Sequence, residues 1–256
     1  AKSFDAKAQC RKIHLLGILS LLRLGVKLSG LGWRLRLGDE AVPRVAGDEG
    51  AVGADEVGRL VGQVLQLVAA LHREVPSGVG STGFVRLSAK DMDEVLAEGS
   101  RWAVARGYAS REDVDFTESR GRFPGADPAA VSGVAKRRGH DQLGTLGAGN
   151  HFLEIDEVEE VFFPEAADAY GLFRGQAVFF IHSGSRGLGY QVCDDYLDVM
   201  ASYMRSHPIG VPDRQLACAH IGSDEGRRYL SALAAAANYA FANRQLLAHQ
   251  VRATGL

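Results

Sequence analysis

Cysteine is scarce in this chain, because only Cys10, Cys193 and Cys218 occur among its 256 residues. Their number is odd and their spacing is wide, which excludes a disulfide framework and a cysteine-rich zinc module. A chain without such cross-links is typical of a reducing compartment, so we expect the protein in the cytoplasm.

The sequence also has no apolar run long enough to cross a membrane. Its most leucine-rich stretch is Ile13–Leu24, and Arg23 and Lys27 interrupt it before the roughly 20 residues that a membrane helix requires. Arg11 and Lys12 precede it as a basic start precedes a signal peptide, but no small-residue cleavage site follows. We therefore expect no membrane partner.

Neither sign of charge is in excess, since 29 Lys and Arg face 31 Asp and Glu. Any basic site for nucleic acid must therefore be local. Residues 1–37 hold eight basic residues and a single acidic one, and residues 38–56 then become acidic and glycine-rich. We predict an atypical segment over residues 1–55 and a separate domain over residues 56–256.

The rest of the chain mixes helical and strand-like patterns without a regular β-α-β rhythm. Apolar spacing predicts helices over Asp55–Arg73, from Ser88 onward, over Gly189–Arg205 and over Glu225–Gln250. Short apolar runs predict strands over His151–Val158 and Gln176–Ile181, and residues 107–142 are polar and turn-rich, so we expect them to be exposed. The pattern indicates a mixed α/β (α+β) fold in which β-sheets are flanked by helices.

Particular residues support two of these helices and the packing of a third. Ser88 and Asp91 have the spacing of a capping box. The expected inward residues are Met92, Val95, Leu96 and Trp102 after Ser88, and Val192, Tyr196, Val199, Met200 and Tyr203 in Gly189–Arg205. The alanine-rich middle of Glu225–Gln250 predicts close packing against a neighbouring element.

Two histidines lie where a predicted strand meets a glycine-rich turn. His151 follows Gly147-Ala148-Gly149-Asn150, and His182 precedes Ser183-Gly184-Ser185-Arg186-Gly187. A neutral imidazole at a strand end is a suitable ligand for a divalent transition metal. Two ligands do not complete a site, and the alternative is that each histidine is a hydrogen-bonded structural residue.

The glycine-rich turns beside these histidines predict phosphate binding. Successive backbone N–H groups in such turns can hold an anion, and Arg186 could pair with a phosphate through two nitrogens. Neither turn is a Walker loop or a dinucleotide-binding fingerprint. The alternative is that both are ordinary tight turns.

Three further clusters carry weaker signals. Cys218-Ala219-His220 places a thiol near an imidazole, and we favour a structural role for it. Asn243-Arg244-Gln245 is either a polar cluster directed at a site or a solvated helix face. His72 and His249 lie in predicted helices and are expected at a surface or an interface.

Four segments together resemble the RtcB family of GTP-dependent RNA-splicing ligases, in the order that the family shows. They begin at Pro76 (PSGVGS), Gln142 (QLGTLGAGNHFLEI), Ile181 (IHSGSRGLGYQV) and Leu216 (LACAHIGSDEGRRYL, continuing to Gln245). The resemblance covers roughly residues 60–250 and implies a family-like fold around a metal and nucleotide cleft, of which this chain carries a part.

The resemblance also implies roles for individual residues. His151 and His182 match two manganese ligands of a two-metal site. Asn150, His151, Phe152, Leu153 and Glu154 match the segment that contacts the guanylate, and Arg186 matches an arginine that contacts RNA phosphate. The implied cofactors are Mn²⁺ and GTP.

Members of the family join RNA ends that carry a 3′-phosphate or 2′,3′-cyclic phosphate to 5′-hydroxyl ends, in tRNA splicing and RNA repair. A histidine is guanylated by GTP, the GMP passes to the RNA 3′-phosphate, and the 5′-hydroxyl then displaces it. An archease-type activator is a further partner that the resemblance implies.

This sequence departs from the family pattern at several functional positions. No residue matches the Asp-x-x-Cys motif that completes the metal site, the third metal histidine, the guanylated histidine or the guanine-binding lysine. The catalytic residue is therefore unknown, and we expect this polypeptide alone to form no covalent adduct with GTP. Two alternatives are a non-catalytic remnant that binds RNA ends or phosphate, and a metal-dependent phosphohydrolase.

Overall fold

A computed structural model describes residues 54–213 and 216–254 of the chain, and the side chains of its first helix from residue 62 onward. The basic segment over residues 1–37, Cys10 and the leucine-rich stretch Ile13–Leu24 lie outside the described residues. No helix in the described ranges is long and apolar enough to span a bilayer.

Helices make up most of the described chain, and the sequence locates the long ones to within a few residues. The α-helices are α1 (Ala54–Glu74), α2 (Ala89–Glu98), α3 (Ser100–Ala105), α4 (Arg111–Asp115), α5 (Gly133–Gly139), α6 (Pro164–Tyr170), α7 (Arg186–Ser206) and α8 (Asp224–Ala253). Two short 3₁₀ helices span Glu118–Gly121 and Pro128–Ala130, and the strands are β1 (Phe152–Glu157) and β2 (Ala177–His182). The predicted α+β class is confirmed.

The chain divides into two compact units that interleave along the sequence. The first, called here the helical unit, consists of Gly80–Gly147 and Ser183–His249. The second, called the hairpin unit, contains Ala148–His182 together with the described parts of the segments before Gly80 and after His249. The chain therefore leaves the helical unit after Gly147 and returns to it at Ser183.

The helical unit has a continuous apolar core, which α7 and α8 help to form. Val192, Tyr196 and Tyr203 of α7 are buried as predicted, whereas Val199 and Met200 are only half-buried. Small residues dominate the buried face of α8, because Ala232, Ala234, Ala235, Ala236, Ala240 and Ala242 are all buried. Alanine allows a helix backbone to approach its neighbours closely, so the predicted close packing of this helix is confirmed.

The predicted capping box forms, but the helix that it starts is shorter than the sequence indicates. The Ser88 hydroxyl accepts from the Asp91 amide, and the Asp91 carboxylate accepts from the Ser88 amide. Gly99, with φ of 57° and ψ of −130°, ends α2, and Trp102 belongs to the following helix α3. Met92, Val95, Leu96 and Trp102 are nevertheless all buried in one core.

The expectation that residues 107–142 are exposed throughout is wrong. Helices α4 and α5 and both 3₁₀ helices lie in this segment. It also buries Val114, Ala130, Val131 and Ala135, of which Ala135 is fully buried. Each helix has at most seven residues and spans too few turns to show a helical period in the sequence.

In the hairpin unit, β1 and β2 form an antiparallel pair that confirms both predicted strands. Phe152 lies opposite His182, and Glu154 lies opposite Phe180. Because side chains alternate along a strand, Phe152, Glu154, Phe180 and His182 share one face of the hairpin. Leu153 lies opposite Ile181 on the other face. A two-stranded sheet is marginal by itself in water, so the hairpin depends on its surroundings for order.

Candidate functional site

The structure brings His151 and His182 together at one end of the hairpin, although 30 residues separate them along the chain. Their ring centroids lie 6.2 Å apart, and the rings are nearly perpendicular, at 81°. The register of the strands explains this proximity, because His182 lies opposite Phe152 and His151 immediately precedes it. His151 is half-buried and His182 is exposed, so the pair is accessible from solvent.

A backbone hydrogen bond orients the His151 ring for metal binding. Its Nδ1 lies 2.8 Å from the carbonyl oxygen of Ala148. Because a carbonyl oxygen only accepts, Nδ1 carries the proton, and the lone pair of the neutral ring lies on Nε2. Metal-binding histidines characteristically make this kind of bond through the nitrogen opposite the metal. The imidazole pair therefore fits the donor chemistry of a divalent transition metal.

The pair does not complete a metal site within the described ranges. No group of three or more His, Cys, Asp or Glu side chains is arranged there to hold a metal ion. A stable site normally has three or more protein ligands. The pair can supply two ligands, and the remaining ones would have to come from other groups.

The other residues predicted to contact guanylate lie beside the histidines. Phe152 contacts the His182 ring, with centroids 5.0 Å apart, and stacks on Phe180 at 5.7 Å. Asn150 is exposed in the turn before β1, and Glu154 shares the face of Phe152. Leu153 points to the opposite face of the hairpin, so the five residues do not form one continuous surface. Their roles stay predictions.

Arg186, predicted to bind phosphate, lies at the start of α7 in the helical unit. Its Nε donates to the Thr145 hydroxyl at 3.1 Å. It forms no ion pair with a carboxylate in the described part of the chain, and burial lowers the pKa of its guanidinium. An arginine remains protonated under such conditions, so the unit carries a half-buried positive charge without a counterion. Such a charge favours binding of an anion.

Backbone geometry brings Arg186 against Gly147. Gly147 has φ of +110°, and a Cβ atom built on it would overlap Nη1 of Arg186. Only glycine therefore allows the guanidinium to lie over this turn without displacement. Arg186 itself has φ of 54°, which is unusual for a residue with a side chain.

A buried asparagine holds the loop before β1 and the loop after β2 in place, a role that the sequence did not predict. Asn243 of α8 is fully buried. Its Oδ1 accepts from the amides of Gly144 and Thr145, at 2.7 and 3.2 Å. Its Nδ2 donates to the Thr145 carbonyl, the Ser183 hydroxyl and the Gly184 carbonyl, each at 3.1 Å. This side chain therefore connects the loop before β1 to the loop after β2.

The neighbouring Arg244 reinforces the second loop. Its Nη1 donates to the Ser183 carbonyl at 3.2 Å, and its guanidinium lies 5.2 Å from the ring centroid of Phe241. Burial lowers the pKa of this arginine, and Glu118 opposes that shift. Asn243 and Arg244 therefore support the loops. Because Asn243 and Gln245 are both buried, the interpretation of this segment as a solvated helix face is wrong.

In the glycine-rich turn after His182, some of the backbone amides that were predicted to bind phosphate already donate hydrogen bonds within the protein. The Gly187 amide donates to Oε1 of Gln142 at 2.8 Å, and the Gly189 amide donates to the Ser185 carbonyl at 3.3 Å. These two amides are therefore not free for phosphate. The Arg186 side chain is a further group in this loop that can bind an anion.

The remaining sequence candidates lie in structural settings. The Cys218 amide donates to the sulfur of Met204 at 3.4 Å, and the exposed His220 contacts the Tyr203 ring. His249 stacks on Phe84, with centroids 6.0 Å apart, and His72 is exposed on α1. The structural interpretation of Cys218 and His220 agrees with these contacts.

Comparison with known proteins gives one consistent result. A family model described as tRNA-splicing ligase RtcB matches residues 53–254. The chain is 53% identical over 190 residues to a protein from Pyrococcus abyssi named tRNA-splicing ligase RtcB, covering 74% of this chain and 21% of that protein. Proteins of the same name from Thermococcus kodakarensis and Aeropyrum pernix are 51% and 53% identical, over 74% and 73% of this chain and 39% of each relative.

The chain thus spans between about one fifth and two fifths of the length of these curated relatives. The matched region includes both histidines, Arg186 and Asn243.

Proposed function

Because the chain belongs to the RtcB family, we propose that it forms part of the catalytic region of an RNA ligase. The ligase joins 3′-phosphate or 2′,3′-cyclic phosphate ends to 5′-hydroxyl ends with GTP and Mn²⁺. The pairing of His151 and His182, with ring centroids 6.2 Å apart, carries this proposal, since it supports the metal role that the family motif predicts.

The two histidines would provide two of the metal ligands. The Ala148 carbonyl keeps the His151 proton on Nδ1 and leaves Nε2 for coordination. Mn²⁺ bound here would neutralise phosphate charge and polarise phosphate oxygens. Asn150, Phe152, Leu153 and Glu154 remain the proposed contacts of the guanylate.

Arg186 would bind a phosphate of the RNA. Its guanidinium is half-buried, has no carboxylate partner among the described residues, and is positioned by Thr145 and Gly147. Half-burial removes water from this charge, as it does not for an arginine on the surface. Binding of an anion would offset that desolvation. The role requires no covalent step at this residue.

The proposed RNA binding is tested with two short RNAs that differ only at the 3′ end, one phosphorylated and one with a 3′-hydroxyl. We expect this chain to prefer the phosphorylated RNA, with an affinity that falls as salt rises. Arg186→Gln should remove the preference, whereas Arg205→Gln, at an exposed position near the end of α7, should preserve it. Equal binding of both RNAs by the unmodified chain would contradict the role of Arg186.

Binding without joining is expected from this polypeptide alone. None of its residues matches the family's guanylated histidine, so labelled GTP should leave no covalent adduct on the chain. A stable GMP–protein bond would show that a residue of this chain is the nucleophile. The cytoplasmic location and an archease-type activator are predictions of the resemblance.

A further inference from the structure

An exposed aromatic ring lies one helical turn after Arg186 in the helical unit. Tyr190 of α7 is 64% exposed. Its hydroxyl and ring make no hydrogen bond or ring–ring contact within the described part of the chain. The packing of the helical unit therefore gives no reason for an aromatic residue at this position.

Arg138 of α5 contacts this ring. Its guanidinium carbon lies 5.8 Å from the centroid of Tyr190, within the range of a cation–π interaction. Arg138 is itself exposed and forms no ion pair with a carboxylate in residues 54–213 or 216–254. The pair therefore combines an accessible aromatic ring with an uncompensated positive charge.

The pair lies close to the loop that carries Arg186. A Cβ atom added to Gly187 would lie 3.6 Å from the Cβ of Arg138, so the stem of that arginine runs beside the start of α7. The charge of Arg138 therefore lies at the Tyr190 ring and near the loop that carries the residue proposed to bind phosphate.

An aromatic face beside positive charge fits one class of ligand particularly well. Single-stranded RNA presents unpaired bases that stack on aromatic side chains, and phosphates that neutralise arginines. An acidic peptide would satisfy the arginines but has no need of the ring, and an apolar partner would leave the guanidiniums desolvated and unpaired.

We propose that Tyr190, with Arg138 against its ring, is a stacking site for an unpaired base of the RNA strand. This inference rests on the proposed RNA-binding function and adds to it a contact with a base instead of a phosphate. Every base has a π-face, so the contact would bind RNA without selecting its sequence.

The test uses two 3′-phosphorylated strands of equal length, one of RNA and one of the same sugar-phosphate backbone without bases. Dissociation constants of this chain for both strands are measured at low salt. We expect the strand with bases to bind about five- to a hundredfold more tightly, which is the range for one stacked base. Tyr190→Leu should reduce that ratio at least about fivefold by weakening only the strand with bases.

Two further variants separate stacking from other effects of the substitution. Tyr190→Phe retains the ring and should preserve the ratio. Tyr170→Leu removes a tyrosine that is 71% exposed at the end of α6, and it should also leave the ratio unchanged. Circular dichroism spectra of all variants confirm that the helices are intact.

The outcomes distinguish the two proposals. If neither strand binds the unmodified chain, the proposed RNA binding fails, and the stacking site fails with it. If both strands bind and Tyr190→Leu lowers their affinities by the same factor, or changes neither, then RNA binding stands and base stacking at Tyr190 is wrong. Loss of the preference in Tyr190→Phe would likewise overturn stacking.

Discussion

The helical unit and the hairpin unit differ in how far they bury their side chains. The helical unit buries a continuous core and several polar groups, including Asn243, whose hydrogen bonds all go to other parts of that unit. The hairpin has two strands, every residue of β1 is only half-buried, and His182 is exposed. Rigid polar scaffolding thus lies in one unit, while the candidate metal ligands lie on an accessible element in the other.

This difference has a consequence for the site. The loops that leave and re-enter the helical unit are held by Asn243, and they end at Gly147 and Ser183, where the hairpin segment begins and ends. The histidines proposed to bind a metal ion remain accessible on the hairpin. Substitution of Asn243 should therefore mainly affect stability, and substitution of the two hairpin histidines should mainly affect metal binding.

The largest effect is expected from Asn243→Leu. Leucine has a similar volume but leaves the buried amides and carbonyls of the two loops without their partners, at about 1–3 kcal/mol for each unsatisfied group. We expect the free energy of unfolding to fall by about 3–5 kcal/mol, measured by urea denaturation. Leu233→Asn, at a position of α8 that is 40% exposed, is the control and should change stability by less than about 1 kcal/mol. A loss below about 1 kcal/mol in Asn243→Leu would show that water replaces the amide.

A smaller effect is expected from two glycines in the loop before β1. Gly147 and Gly149 both have positive φ, of 110° and 77°, so alanine at either position should reduce stability by about 1–3 kcal/mol. Only at Gly147 would the new methyl group meet Arg186, whereas nothing lies within 4 Å at Gly149. Gly147→Ala should therefore also weaken binding of 3′-phosphorylated RNA about tenfold. If the two variants bound the RNA with equal affinity, the proposed binding of phosphate by Arg186 would be contradicted.

The smallest effect concerns the N-terminal cap of α2 and depends on pH. Hydrogen bonds from the Ser88 hydroxyl and amide, followed by the charge of Arg106, lower the pKa of Asp91 to about 2. Because the pKa in the unfolded chain is near 4, the stabilisation is complete above about pH 5 and is lost as pH falls from 4 towards 2.

Asp91→Asn should therefore be less stable than the unmodified chain at pH 7, and the difference should shrink below pH 4. Asp115→Asn, at the exposed end of α4, is the control. Denaturant midpoints measured from about pH 2.5 to about pH 8, a range that includes the pKa of the unfolded chain, provide the data. A difference that stays constant down to pH 2.5 would mean that the Asp91 charge does not stabilise the cap.

The sequence predicts what depends on neighbouring residues and misses what depends on distant ones. The bounds of α7, α8, β1 and β2 follow from apolar periodicity, and the cap at Ser88 follows from a local motif. The role of Asn243 could not be predicted, because its partner Thr145 lies 98 residues away along the chain. Its only signal was the polar run Asn243-Arg244-Gln245 between apolar residues of α8.

In the candidate site too, the sequence predicts local features and misses contacts between distant residues. The motifs predict which side chains bind metal and phosphate, and the turns around them are visible as glycines. The contact between Arg186 and Gly147, and the use of the Gly187 amide by Gln142, depend on how the loops fold against each other. A pattern of glycines does not reveal whether its amides are already occupied.

The most direct test of the account is whether Mn²⁺ binds at the histidine pair. Paramagnetic Mn²⁺ broadens the NMR signals of nearby protons even when binding is weak, so the ring signals of the eight histidines can be compared in one titration. We predict that the signals of His151 and His182 broaden first, and that His182→Ala removes the early broadening at His151. His207→Ala is the matched control and should leave it unchanged. Uniform broadening of all the histidines, or earlier broadening at another one, would contradict the assignment of this pair as metal ligands.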